Sequence, residues 1–256
     1  PRGSAVDSGS RYAAVRRARR AVPSDLPWRW FERLPDRSDA GLPGGACVVL
    51  DIGANPEVKP EHILQFAVMG SIYAQAVRGV KNPRVALLSN GEEPGKGNEL
   101  VKASYPLLQT SGLNFTGPVE AKEIFNGEAD VVVTDGFSGN VFLKTSEAVA
   151  KLIIDNLRAE LMGSLRTKLG GLLAKPAFGQ IRKMLDSGEI GAAPLLGFDG
   201  LVFKAHGRSD ARAVLNGIRT VRQAIDADLL AKIRTAVQEQ IAHLPSGSTE
   251  NPFTQE

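Results

Sequence analysis

The chain has 256 residues, 43% of them hydrophobic, enough for one large α/β domain or two small ones. Its single cysteine, Cys47, excludes an internal disulfide and fits a reducing, cytoplasmic compartment. No run reaches the roughly 18 apolar residues of a membrane span, and Pro1–Ser10 lacks the basic-then-apolar order of a signal peptide.

The pI near 9.1 invites nucleic acid as a partner. The basic excess is local, however: residues 1–46 hold nine Arg against five acids, and the remainder holds 22 bases against 23 acids. A nearly neutral body has no footprint for a phosphate backbone, so nucleic acid is not expected. The Arg-rich, Lys-free stretch 1–45 carries both tryptophans, Trp28 and Trp30, and shows no sustained period. It is expected to be a poorly ordered arm, the sharper alternative being a stretch joined from another reading frame.

From Cys47 the pattern is regular. Cys47–Ile52 reads as a buried strand. Pro60 opens a helix running to about Gly79, with Ile63, Phe66, Ala67, Gly70 and Tyr73 on its inner face. Arg84–Ser89 reads as a strand and Asn98–Thr110 as a helix, closed near Gly112. Asp130–Thr134 is a third strand, with a long helix expected from about Val141. Residues 145–190 read as an inserted helical hairpin with a leucine-rich stripe from Val149 to Leu172. Gly170-Gly171 and Pro176 are expected to interrupt that stripe before a second, shorter helix. Such a hairpin packs on its own domain, on a second copy, or on a membrane surface beside Arg158, Arg166, Lys168 and Lys175. Leu201–Ala205 is a strand, Ser209–His243 a helix, and residues 245–256 a disordered tail. Alternating strands and helices over 46–244 imply a mainly parallel sheet covered on both faces, with ligands at the carboxyl ends of the strands.

Four strand-end loops carry the polar residues. Asp135-Gly136-Phe137-Ser138-Gly139-Asn140, with Lys144 and Thr145 a turn later, reads as an anion cradle; the bland alternative is a tight turn. The loop 89–97 either supplies Asn90 and Lys96 to a polar site or is a flexible connector. It is not a P-loop, because the spacing is one residue short and Gly97 stands where Ser or Thr would hold magnesium. Lys204, His206, Gly207 and Ser209 follow another strand, and His206 is placed to polarise a carbonyl or protonate a thiolate. Asp51 and Asn55 form the fourth loop. Asn140 excludes a nucleophile elbow, no Cys/His cluster has zinc spacing, and no metal or cofactor is expected.

Five segments together resemble one family: VVLDIGAN (48–55), PEHILQFAVMGSIYA (60–74), LLSNGEEPGKGNEL (87–100), DVVVTDGFSGNVFLKT (130–145) and GAAPLLGFDGLVFKAHGRSDARAVLNGI (191–218). They are similar, in order over about 46–244, to the bacterial phosphate acyltransferases, the PlsX family. The resemblance implies a three-layer α/β/α sandwich like that of isocitrate and isopropylmalate dehydrogenases. It implies transfer of an acyl group from acyl carrier protein to inorganic phosphate in phospholipid synthesis. It further implies a homodimer, peripheral membrane contact through the 145–190 hairpin, and a neighbouring glycerol-3-phosphate acyltransferase. The family's opening Asp-x-Met-Gly-Gly-Asp segment and its Ser-Ala-Gly-Asn-Thr-Gly loop have no counterpart here, so one strand and one wall of the site are expected to be missing. Lys144 and His206 are the candidate catalytic groups, and the other loop residues candidate substrate ligands. Two readings stand beside this one: a phosphotransacetylase-like enzyme using a coenzyme A thioester, and an inactive fragment retaining dimer or membrane contacts.

Overall fold

A computed structural model describes residues 47–184, 191–205, 207 and 209–242. The expectations for His206, for the arm 1–45 and for the tail 245–256 lie outside the described residues. Four strands, β1 (Val48–Leu50), β2 (Val85–Leu88), β3 (Phe115–Val119) and β4 (Val131–Val133), form one sheet in the order β1-β4-β2-β3. Every neighbouring pair is parallel. β1 and β4 are Val/Leu runs buried on both faces, the pattern of a covered parallel sheet. With helices on both sides, the architecture is the expected α/β/α sandwich.

The strands are shorter than expected because their last polar residues turn into loops. The sequence reading missed β3, Phe-Thr-Gly-Pro-Val, since Gly and Pro argue against a strand. β3 tolerates them because it is an edge, where a missing N–H breaks no ladder on the open side. Also missed was the short helix α3 (Ala121–Asn126), whose only local sign is Glu120 and Glu123 flanking its first turn.

Helix α1 (Pro60–Arg78) starts on proline and stops at Gly79, in the left-handed conformation. It is buried nearly all round, between the sheet and α7 (Leu229–Ala242), and so lacks an amphipathic signature. Helix α2 (Glu99–Gln109) is capped by Asn98, whose Oδ1 accepts the Val101 N–H at 3.0 Å.

Three expected boundaries are corrected. Helix α4 (Gly136–Met162) starts at Gly136, not Val141, because Asp135 caps it through the Ser138 N–H. The hairpin turns at Gly163-Ser164, and α5 (Leu165–Met184) runs unbroken through Gly170-Gly171 and Pro176. There Ser164 and Thr167 exchange side-chain-to-amide hydrogen bonds, each at 3.1 Å, fixing the new helix start. The expected helix over 209–243 is two, α6 (Ala211–Asp226) and α7, separated by Ala227 and by Asp228 at φ +50°. A separate antiparallel ribbon, β5 (Ala192–Leu195) with β6 (Val202–Ala205), packs on α6.

Candidate functional site

The carboxyl ends of β1 and β4 meet the first turn of α4. Gly139 sets how closely: a Cβ there would lie 1.9 Å from the Asp51 carbonyl oxygen. The Gly136 N–H donates to the Asn55 carbonyl at 2.9 Å, and the Gly139 N–H to the Asp135 carbonyl at 3.0 Å. Asp51 is fully buried and folds its own loop. Its Oδ1 accepts the Gly53 and Ala54 N–H groups, each at 3.1 Å. Its Oδ2 accepts the Asn55 backbone N–H at 2.8 Å and the Asn55 side-chain amide at 3.0 Å. Burial nonetheless holds its carboxyl above the ordinary carboxylate range, against the lowering effect of those hydrogen bonds. Asp51 and Asn55 thus build the loop on which α4 rests, their polar groups turned on each other.

The expected anion cradle at 135–140 is modified in the same way. The Ser138 N–H is taken by Asp135 Oδ1 at 2.7 Å, so a carboxylate already sits at the positive end of α4. An added negative charge about 4 Å from it would meet about 4 kcal/mol of repulsion at an effective dielectric near 20.

Beside that turn lies a cavity of about 320 Å³. It opens between the ends of β2 and β4, whose connections diverge: β2 leads through α2 to β3, while α4 leans back over β1. Ile63, Leu87, Leu88, Leu100 and Val101 make its apolar wall. Ser89, Asn90, Asn98, Thr134, Asp135 and Ser138 bring polar groups to it. Among the described residues no Lys or Arg lines it. Asn90 Oδ1 accepts the Gly97 N–H at 2.8 Å and so braces the loop over the cavity.

The expected cations stand elsewhere. Lys96 is exposed and folds over Gly91, outside the cavity lining. With α4 starting at Gly136, Asn140 and Lys144 share a face turned about 200–240° from Ser138 at 100° per residue. Asn140 lies against Gly53, where a Cβ would be 3.4 Å from its Cγ. Lys144 Nζ donates to Glu147 at 2.9 Å with its side chain 61% exposed. Thr145 returns to the Ser138 side, about 10 Å further along the axis at 1.5 Å per residue. Lys204 belongs to β6 and, like Gly207 and Ser209, is not part of the cavity lining. Ser89, Thr134 and the helix-capping Asn98 are the polar cavity residues that sequence reasoning did not offer as ligands. Ser89 and Thr134 stand at the ends of strands. Their signal was position alone, a small hydroxyl residue directly after a buried strand. Among the described residues, no group of three His, Cys, Asp or Glu is arranged to hold a metal ion.

Fold and site define an open, mainly parallel α/β domain with a cleft where strand connections diverge. The family model described as "Fatty acid synthesis protein" matches residues 41–232. The curated phosphate acyltransferase of Elusimicrobium minutum is 48% identical over 195 residues, covering 76% of this chain and 57% of that protein. Those of Oceanobacillus iheyensis and Aquifex aeolicus are 48% and 44% identical, over 76% and 78% of this chain. The chain therefore belongs to this family, the PlsX family. It spans 57–60% of the length of these relatives.

Proposed function

We propose that this chain takes part in transferring a fatty acyl group from acyl carrier protein to inorganic phosphate, giving an acyl phosphate for phospholipid synthesis. The observation that carries the reading is the 44–48% identity, over 195–203 residues, to proteins named phosphate acyltransferase. A phosphate oxygen attacks the thioester carbonyl, the C–S bond breaks, and the departing thiolate takes the proton phosphate gives up. Thiolate is a good leaving group, so positioning and stabilisation of the oxyanion supply most of the catalysis, and no enzyme nucleophile is required.

In this reading phosphate approaches along the exposed Asn140–Lys144 face of α4. The Lys144–Glu147 pair is solvent-accessible and of the weak kind that an arriving anion exchanges. His206, Lys204, Gly207 and Ser209 are assigned to the same reaction as further candidate groups. The hairpin α4–α5 is the element for homodimer contact and for peripheral attachment to the membrane, near the downstream glycerol-3-phosphate acyltransferase. Its support is exposed apolar surface, including Leu165 at 85% and Leu173 at 78%. Among the described residues no helix is long and apolar enough to cross a membrane.

The test is donor choice and site dependence. Acyl phosphate formed from acyl carrier protein thioester and not from coenzyme A thioester supports the reading; the reverse preference favours a phosphotransacetylase-like enzyme. Lys144→Ala and His206→Ala are each expected to lower turnover at least about 100-fold, within the range of an electrostatic or general-acid group. Wild-type rates in both remove them from the site.

A further inference from the structure

Residues 89–97 run from the end of β2 to the cap of α2, and Asn90, Gly97 and Asn98 line the cavity. The base of this loop is braced: the Gly97 N–H donates to Asn90 Oδ1 at 2.8 Å, and the Ser89 N–H to the Val119 carbonyl at 2.8 Å. The outer turn, Glu92–Gly95, is exposed. Its own hydrogen bond, from the Lys96 N–H to the Glu93 carbonyl at 3.1 Å, ties it only to itself. The one ion pair of the loop, among the described residues, crosses to the body of the domain. Lys122 Nζ stands 3.5 Å from a Glu92 carboxylate oxygen.

Lys122 is already in place for that contact. It lies in the first turn of α3, where its ammonium donates to Glu120 at 3.0 Å and stands 3.2 Å from Glu123. Glu123 is buried, and its carboxylate accepts the Glu120 N–H at 2.9 Å. Hydrogen bonds to Glu120 and Glu123 raise the Lys122 pKa, so the ammonium keeps its charge. A cation at the start of a helix opposes the helix dipole, so the reason for a lysine here lies in the carboxylates it gathers. An isolated surface pair contributes little because two long side chains lose their freedom together. Here two carboxylates of α3 and its cap fix the cation, and Glu92 alone is ordered on joining it.

We propose that Lys122 is a positioning residue: through Glu92 it latches the 89–97 loop in the conformation that sets Asn90 and the mouth of the cavity, and ionic strength loosens the latch. The consequence for turnover rests on the acyl-transfer reading; the latch itself does not.

Hydrogen–deuterium exchange of the full chain, read by mass spectrometry on peptides covering 89–97, tests it. At about 0.05 M salt, Glu92→Gln is expected to exchange about 2–5-fold faster there than the wild type, the range of a surface pair, with α2 unchanged. At about 0.5 M salt, where charges are screened within a few ångströms, the two forms exchange alike. Lys122→Gln is expected to match Glu92→Gln, the double variant to be no faster than either, and Lys122→Arg to keep wild-type protection. In turnover at low salt, the donor KM rises by the same factor in Glu92→Gln while kcat is unchanged, and the gap closes at high salt. Wild-type exchange in Glu92→Gln overturns the proposal. So does a double variant in which the two effects multiply, since Lys122 would then serve only to neutralise Glu120 and Glu123. A loosened loop with an unchanged donor KM removes the positioning role. If neither form makes acyl phosphate, the functional reading falls, and the exchange result still decides the latch.

Discussion

Replacing Gly139 with alanine places a methyl carbon 1.9 Å from the Asp51 carbonyl oxygen and 3.0 Å from both the Asp51 carbonyl carbon and Thr134 Cγ2. The first contact is roughly 1.5 Å short of an ordinary non-bonded distance, and its partner is backbone at the end of a buried strand. The first turn of α4 has to back away from β1. Overpacking of this kind costs about 1–3 kcal/mol. Retreat also stretches the Gly136-to-Asn55 hydrogen bond, worth about 1 kcal/mol. The better helix propensity of alanine returns up to about 1 kcal/mol. The net expectation is about 1–4 kcal/mol of destabilisation, or a melting temperature lower by about 2–16 °C in a chain of this size. Scanning calorimetry reads it, with Gly170→Ala as control. Gly170 lies inside α5 with nothing within 4 Å of an added Cβ, so that variant should be neutral or stabilised by up to about 1 kcal/mol. Gly139→Ala melting within about 2 °C of wild type would refute the close docking of α4 on β1, and with it the geometry assigned to the cleft.

Asp51→Asn turns an amide donor towards either the Gly53 and Ala54 or the Asn55 donors, removing two of four hydrogen bonds. It should cost about 2 kcal/mol in urea denaturation, and a change under about 0.5 kcal/mol would show that the loop does not depend on the carboxylate. Asp130 accepts the Arg84 backbone N–H at 2.8 Å and binds its guanidinium through both oxygens, so Asp130→Ala should lower stability by about 2 kcal/mol; an unchanged denaturation midpoint would contradict that clasp. Burial pushes the Cys47 thiol up to about 12 from 9.0. Iodoacetamide should therefore react with it rapidly in denaturant and hardly at all in the native chain at pH 8, and equal rates would place Cys47 at the surface. The raised value also fixes a sign. Above pH 9 the unfolded chain releases this proton and the folded chain does not. Relative to Cys47→Ala, stability should fall by about 1.4 kcal/mol per pH unit between 9 and 12, and a pH-independent difference between the two would refute the burial effect.

The apolar runs around Val49 and Val132 were legible as buried strands because both faces of a parallel sheet are covered, so no alternation has to be recognised. Phe115–Val119 was not, because Gly117 and Pro118 carry the opposite local signal and only an edge position admits them. The break at Asp228 has no local sign at all: a single residue adopts positive φ so that Leu229 can turn inwards to full burial. The candidate site was legible as a set of strand-end loops, but not in the direction of its side chains. Moving the start of α4 from Val141 to Gly136 puts Lys144 and Ser138 on different faces. Asp51 and Asn90 look like free ligands in a sequence, yet their oxygens hold their own loops.

The most direct test of the central claim is the phosphate dependence of donor consumption. The purified chain is incubated with long-chain acyl carrier protein, the free carrier thiol is followed, and the product is identified by mass spectrometry. Thiol release that saturates with phosphate and yields acyl phosphate is the predicted result. Release that is independent of phosphate and yields free fatty acid, or no release from a folded chain, would contradict it.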